Sequence, residues 1–210
     1  MALLKHDSKS IRTDLDWDFT GTVTGFPSGA LTLIKSITAS ASSSISFVNG
    51  SDGVVLDDTY KAYKIVFKSI HQSATSARIQ FNGSTDGGSN YNVTKTGTFF
   101  ISAHSEGGST VFQYQGTYDL AQSTDYHTFC QDQGGEDDET GSGEMWLYNP
   151  SSTTFVKHYN ILYHHYHGAN YAWSNYIGGY CNTTSPVDAI DFKMSSGNID
   201  DGTISLYGLA

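Results

Sequence analysis

Alternation of apolar and polar side chains is the strongest local signal in this chain. Within 61–68, Tyr63, Ile65 and Phe67 fall on one side, and Lys64 and Lys68 on the other. A period of two sends successive side chains to opposite faces of a sheet, so the segment predicts a half-buried strand. The same logic predicts strands over 77–82, with Ile79 and Phe81 inward, and over 188–194, with Ile190, Phe192 and Met194 inward. Residues 203–207 close the chain in the same pattern. Further strands are predicted over 44–49, 96–102, 110–118, 126–130, 144–148, 154–163 and 171–180. No long segment carries a 3.6-residue period with helix caps.

The separators are turn chemistry. They are the Gly- and Ser-rich stretch 83–90, Asn149-Pro150-Ser151-Ser152, and 195–202. Many short strands at this spacing predict an all-β chain built as an antiparallel β-sandwich, jelly-roll-like. Residues 1–29 read differently. Mixed charge (Lys5, Asp7, Lys9, Arg12, Asp14, Asp16, Asp18) gives way to short polar stretches and a turn at Phe26-Pro27-Ser28-Gly29. They read either as an N-terminal arm that docks on a neighbour or as a loosely ordered terminus. The expected organisation is an arm over 1–29 and one sandwich domain over 30–210.

Composition narrows the function classes. The 210 residues carry a net charge of −10, and only 15% are charged. Uncharged polar residues take their place, with 49 Ser and Thr and 22 Gly. With 14 Tyr and 11 Phe, the chain is too aromatic and too weakly charged for disorder. The negative balance, without a Lys/Arg run, argues against nucleic acid and against anionic lipid. No run of about 18 apolar residues is present to span a bilayer. The first residues lack the basic start and apolar run of a signal peptide, so synthesis in a cytoplasm is expected. In that setting Cys130 and Cys181 are expected as free buried thiols.

Three local clusters invite chemistry. In a strand, His165 and His167 share a face, and two imidazoles from each of three chains on a symmetry axis would complete an octahedral metal site. The alternative is a polar, aromatic strand face. Gly134–Gly141 holds an acidic run, Glu136-Asp137-Asp138-Glu139, that reads as a solvated loop in preference to a calcium site. Tyr166, Tyr171, Trp173 and Tyr176, with Tyr163, crowd a span rich in Asn, Ser and Gly. They could offer flat faces to a glycan, or fill the core or a subunit interface. Enzyme motifs are absent from the sequence, no residue spacing picks out a catalytic pair, and no cofactor is implied.

Three stretches carry a resemblance. They are the 81–94 segment Phe-Asn-Gly-Ser-Thr-Asp-Gly-Gly-Ser-Asn-Tyr-Asn-Val-Thr, the 143–158 segment beginning Gly-Glu-Met-Trp-Leu-Tyr-Asn-Pro, and 190–208, ending Gly202-Thr203-Ile204-Ser205-Leu206-Tyr207-Gly208. Together they resemble small structural proteins from the virions of marine tailed bacteriophages. The resemblance covers roughly 30–210 and implies architecture and context more than molecular role. It implies a non-enzymatic protein on the particle surface, made in the host cytoplasm. Its partners would be other virion proteins and copies of itself, with a trimer as the commonest arrangement. A fibre or appendage role in host attachment is expected. A capsid decoration protein, a lectin-like glycan-binding module and a glycan depolymerase are the rivals.

Overall fold

A computed structural model describes residues 30–209, so the arm expected over 1–29 lies outside the described residues. Thirteen strands follow one another: β1 (Leu31–Thr38), β2 (Ile45–Val48), β3 (Ala62–Gln72), β4 (Ile79–Ser84), β5 (Lys95–Ser105), β6 (Thr110–Tyr114), β7 (Leu120–Ser123), β8 (His127–Thr128), β9 (Gly141–Tyr148), β10 (Lys157–His167), β11 (Tyr171–Cys181), β12 (Ala189–Met194) and β13 (Ile199–Leu209). They form two antiparallel sheets packed face to face, so the all-β sandwich expected from the sequence is the fold. The large sheet runs β1-β13-β3-β9-β10-β11-β5-β6, with β7 also pairing with β5, and the small sheet runs β2-β12-β4-β8.

Eight strands alternate between the sheets, save that β4 and β8, either side of β5 to β7, are both in the small one. β1, β3, β9 and β13 lie in the large sheet, and β2, β4, β8 and β12 in the small one. The remaining five, β5 to β7 and the β10–β11 hairpin, extend the large sheet beyond β9. One sheet is therefore about twice as wide as the other, which sets the shape of the surface.

Two strands were not expected, and each has a physical cause. In β1 the register shifts between Leu33 and Lys35, a bulge that breaks the period of two, and Leu31 and Leu33 are exposed. β7 is four residues long, and its Gln122 has a φ of 48°. The turn chemistry of 195–202 conceals the start of β13. Gly202 there has a φ of 108°, and the pairing with β3 shifts register on both sides of Asp201. The strand expected over 110–118 stops at Tyr114, where a turn closed by Tyr118 N–H on the Gln115 carbonyl begins.

Inward residues meet in one core. Phe129, just past β8, lies between the sheets. Its ring centroid is 5.1 Å from Phe67 and 5.4 Å from Tyr163 on the large sheet. It is 6.4 Å from Phe81 and 6.5 Å from Phe192 on the small sheet.

The strand glycines follow from the inward tyrosines of β10. Tyr159 lies across Gly97 and Gly179, where an added Cβ would come within 2.7 and 2.5 Å of its hydroxyl. The Tyr163 hydroxyl lies in the same way against Gly141, while at Gly143 the β10 backbone at Leu162 and Tyr163 leaves no room for a Cβ. Gly97→Ala is therefore expected to cost roughly 1–3 kcal/mol by overpacking Tyr159 and His127, read as a lower urea midpoint at unchanged slope.

Candidate functional site

The outer face of the large sheet is the broadest surface among the described residues. Register fixes which side chains stand side by side on it. One rank crosses six strands: Val66, Glu144, Leu162, Tyr176, Phe100 and Tyr114. Phe112 stands one pair further along β6, opposite Ser102. At its outer end this row is an aromatic band. Phe100 packs edge-on against Phe112 at 4.5 Å and lies 6.1 Å from Tyr176. Phe112 is 76% exposed, Tyr114 54% and Tyr176 43%, so the band faces solvent. Nearer the middle of the sheet, Trp146 stacks on Tyr148, and Lys64 pairs with Glu144 at 2.5 Å.

Two hollows flank the band. The larger, about 580 Å³, is open and lies at the β10–β11 turn end of the sheet. Thr140, Ser142, His164, Tyr166, Ala172, Ser174, His104 and Glu106 line it, along with parts of Ser105, His165, Tyr171 and Trp173. The smaller, about 340 Å³, lies where β11, β5 and β7 meet. Thr96, Gly97, Thr98, Tyr114, Asp119, Leu120, Ala121, Gly178, Gly179 and Tyr180 line it.

The residues expected to form a glycan surface are divided by the sheet. Tyr166 and Tyr176 face outward. Trp173 and Tyr171 share the other face, opposite His165 and His167 in the register. Trp173 is buried and stacks on His167 at 4.5 Å with the rings 19° apart. Its indole therefore offers no open face to a sugar, and the four aromatics do not make one platform. The strand of alternating faces explains this directly, since 171 and 173 are odd positions and 176 is even.

The metal expectation for His165 and His167 also meets a geometric objection. His165 is buried and has both ring nitrogens occupied. Nε2 donates to the Gln131 carbonyl at 2.7 Å, and Nδ1 accepts from the Asn175 amide at 3.1 Å. The carbonyl fixes this tautomer, which leaves no lone pair for a cation. His167 Nδ1 accepts from Ala169 N–H. Among the described residues, no three His, Cys, Asp or Glu side chains gather as a metal-binding group. In the acidic run, Glu136, Asp137 and Asp138 are exposed as expected, but Glu139 turns inward, and its carboxylate accepts from Glu136 N–H at 2.8 Å.

The buried titratable groups lie between the sheets, away from both hollows' open sides. Burial pushes the Cys130 thiol up to about 12 and the Cys181 thiol up to about 11, and both are free. Cys181 stands between Lys157 and Lys95 in the register. Burial pulls Lys95 down to about 8, and its ammonium donates to Asn82 Oδ1 and the Val93 carbonyl. Lys157 donates to the carbonyls of Ser152, Phe155 and Thr183, tying the β9–β10 turn to the end of β11. None of these lysines was legible as a core residue, because charge marks a position as exposed in the sequence pattern.

One pair resembles a nucleophile and base. Ser174 Oγ lies 2.8 Å from His164 Nδ1 in the larger hollow. Its strand is paired with β10 on one side and β5 on the other. The backbone N–H groups there are engaged in the ladders and cannot stabilise an oxyanion. Comparison with protein-family models, with curated proteins and with solved structures finds no match for the chain.

Proposed function

We propose that this chain is a non-enzymatic structural protein displayed on a tailed-phage particle, where it assists attachment to the host through the outer face of its nine-stranded sheet. One observation carries the reading. The five strands beyond the eight that alternate between sheets all widen a single face, and that face presents Phe112, Tyr114 and Tyr176 to solvent. A contiguous exposed aromatic patch marks an interaction surface. The alternation of β1, β2, β3, β4, β8, β9, β12 and β13 between the sheets supports a jelly roll, an architecture common to viral capsid and lectin domains. Fold alone does not assign a role. The resemblance of 30–210 to virion proteins supplies the context. The same face suits self-association, so a homo-oligomer is part of the proposal.

Immunogold labelling of purified particles, with antibodies raised against 30–210, is expected to mark the tail. Label spread over the head would assign capsid decoration instead. Bare particles would overturn the virion assignment.

A further inference from the structure

We propose that the smaller hollow, at Gly178, is a saccharide site that takes an uncharged hexopyranose unit of a surface polysaccharide. It rests on the reading of the outer face as the contact face, but not on a location in a virion. The hollow exists because a side chain is missing. Along the outer side of β11, Tyr176, Gly178 and Tyr180 succeed one another. A Cβ on Gly178 would point into open space, with its nearest neighbour, Thr98 Oγ1, 3.9 Å away. Gly178 thus leaves a notch between two tyrosines, closed on the β5 side by Tyr114 and Asp119. Its volume of about 340 Å³ falls at the small end of ligand sites, which run from roughly 300 to 1,000 Å³.

The chemistry of the walls matches a sugar. A pyranose presents axial C–H groups on its faces and hydroxyls around its rim. Tyrosine rings offer flat apolar surface to the first, and fixed carboxylate and hydroxyl groups serve the second. These groups are held in place before any ligand arrives. Tyr114 donates its hydroxyl to Asp119 Oδ2 at 2.6 Å, which occupies one of a carboxylate's roughly four acceptor positions. Gln122 donates to Thr96 Oγ1 at 2.7 Å and accepts from Asn182 at 2.6 Å, which braces the wall behind. Preorganised polar groups spare a ligand the cost of ordering them. Charge selects among sugars. Asp119 is the charged side chain in the lining, and the chain as a whole carries −10, so uronate-bearing glycans are repelled.

The larger hollow fits less well. Tyr166 is its one outward tyrosine, where the smaller hollow has both Tyr114 and Tyr180.

The test uses the full chain and an immobilised panel of bacterial O-antigen and capsular polysaccharides, some with uncharged repeats and some with uronate. Retention on uncharged members is expected. Gly178→Val should weaken it at least about tenfold by filling the notch, and Tyr114→Ala should weaken it comparably by removing a wall. Valine suits a strand, and its Cβ meets only Thr98 Oγ1 at an ordinary contact distance, so the melting temperature should hold. Retention only on uronate-bearing members, no retention at all, or equal retention by Gly178→Val would each overturn the site. Labelled particles combined with no retention would remove the saccharide site and leave the virion reading standing.

Discussion

Phe129→Ala is expected to lower stability by about 4 kcal/mol, enough to threaten a domain whose whole margin is about 5–15 kcal/mol. Phe129 is fully buried. Just past β8, its N–H still donates to the Ile79 carbonyl of β4, and its ring touches both sheets, with Phe67 and Tyr163 on one side and Phe81 and Phe192 on the other. Four aromatic neighbours held by separate strands cannot collapse together into the space it leaves. The cavity cost therefore adds to the lost transfer energy. The comparison variant is Phe155→Ala, in the β9–β10 turn, where the ring is 67% exposed and the change should stay within about 0.5 kcal/mol. Urea unfolding of both measures the difference. A Phe129→Ala loss below about 1.5 kcal/mol would show that the ring does not wedge the sheets together.

The strands whose inner face is apolar were legible because one side of each is wet. Tyr63, Ile65 and Phe67 in β3, or Ile190, Phe192 and Met194 in β12, write the period of two directly into the sequence. Strand order was not legible, because the pairings are non-local. β13 lies between β1 and β3, joining residues such as Leu206 to Lys35 and Ile65. Nothing in the local pattern selects those partners. Polar residues that face the core misled in the other direction. His165, Asn175, Lys95 and Lys157 are all buried and bond to carbonyls or amides that the local pattern does not reveal, among them Gln131, Tyr163, Asn82 and Thr183. For the candidate sites, the alternation that predicts β11 already separates Trp173 from Tyr176. Composition alone, a crowd of aromatics in a short span, obscured that division. The hollow at Gly178 left no sequence signal. Tyr114, Asp119 and Tyr180 come together only because β6, β7 and β11 all pair with β5.

Acidification from pH 7.5 to pH 5 is expected to cost at least about 4 kcal/mol, chiefly through two buried histidines, with His167, also pulled down by burial, acting in the same direction. Burial pulls His127 down to about 4, and the nearby Lys95 ammonium adds to the effect. Burial pulls His165 down to about 3, against the opposing pull of the Gln131 carbonyl. Both are neutral in the folded chain throughout this interval. In the unfolded chain each titrates near pH 6.5. Above that pH neither state holds the protons, and the histidines exact no penalty. As pH falls below it, the unfolded state takes up two protons that the folded state refuses, so stability falls until the folded values of about 4 and 3 are reached. The slope approaches about 2.7 kcal/mol per pH unit for two protons. Asp86, held down at about 2 by its bonds to Asn90 and Ser84, has the same sign but acts only below the ordinary carboxylate range, so it leaves the interval above pH 5 untouched. His165→Gln isolates the cause. It should lower stability at every pH through its lost contacts, but its slope between pH 6 and pH 5 should be about half that of the parent. Urea midpoints taken stepwise across this range read both quantities. A flat profile from pH 7.5 to pH 5, or an unchanged slope in His165→Gln, would mean that these imidazoles accept protons inside the fold. The core around Gln131, Asn175 and Tyr159 would then have to open to water.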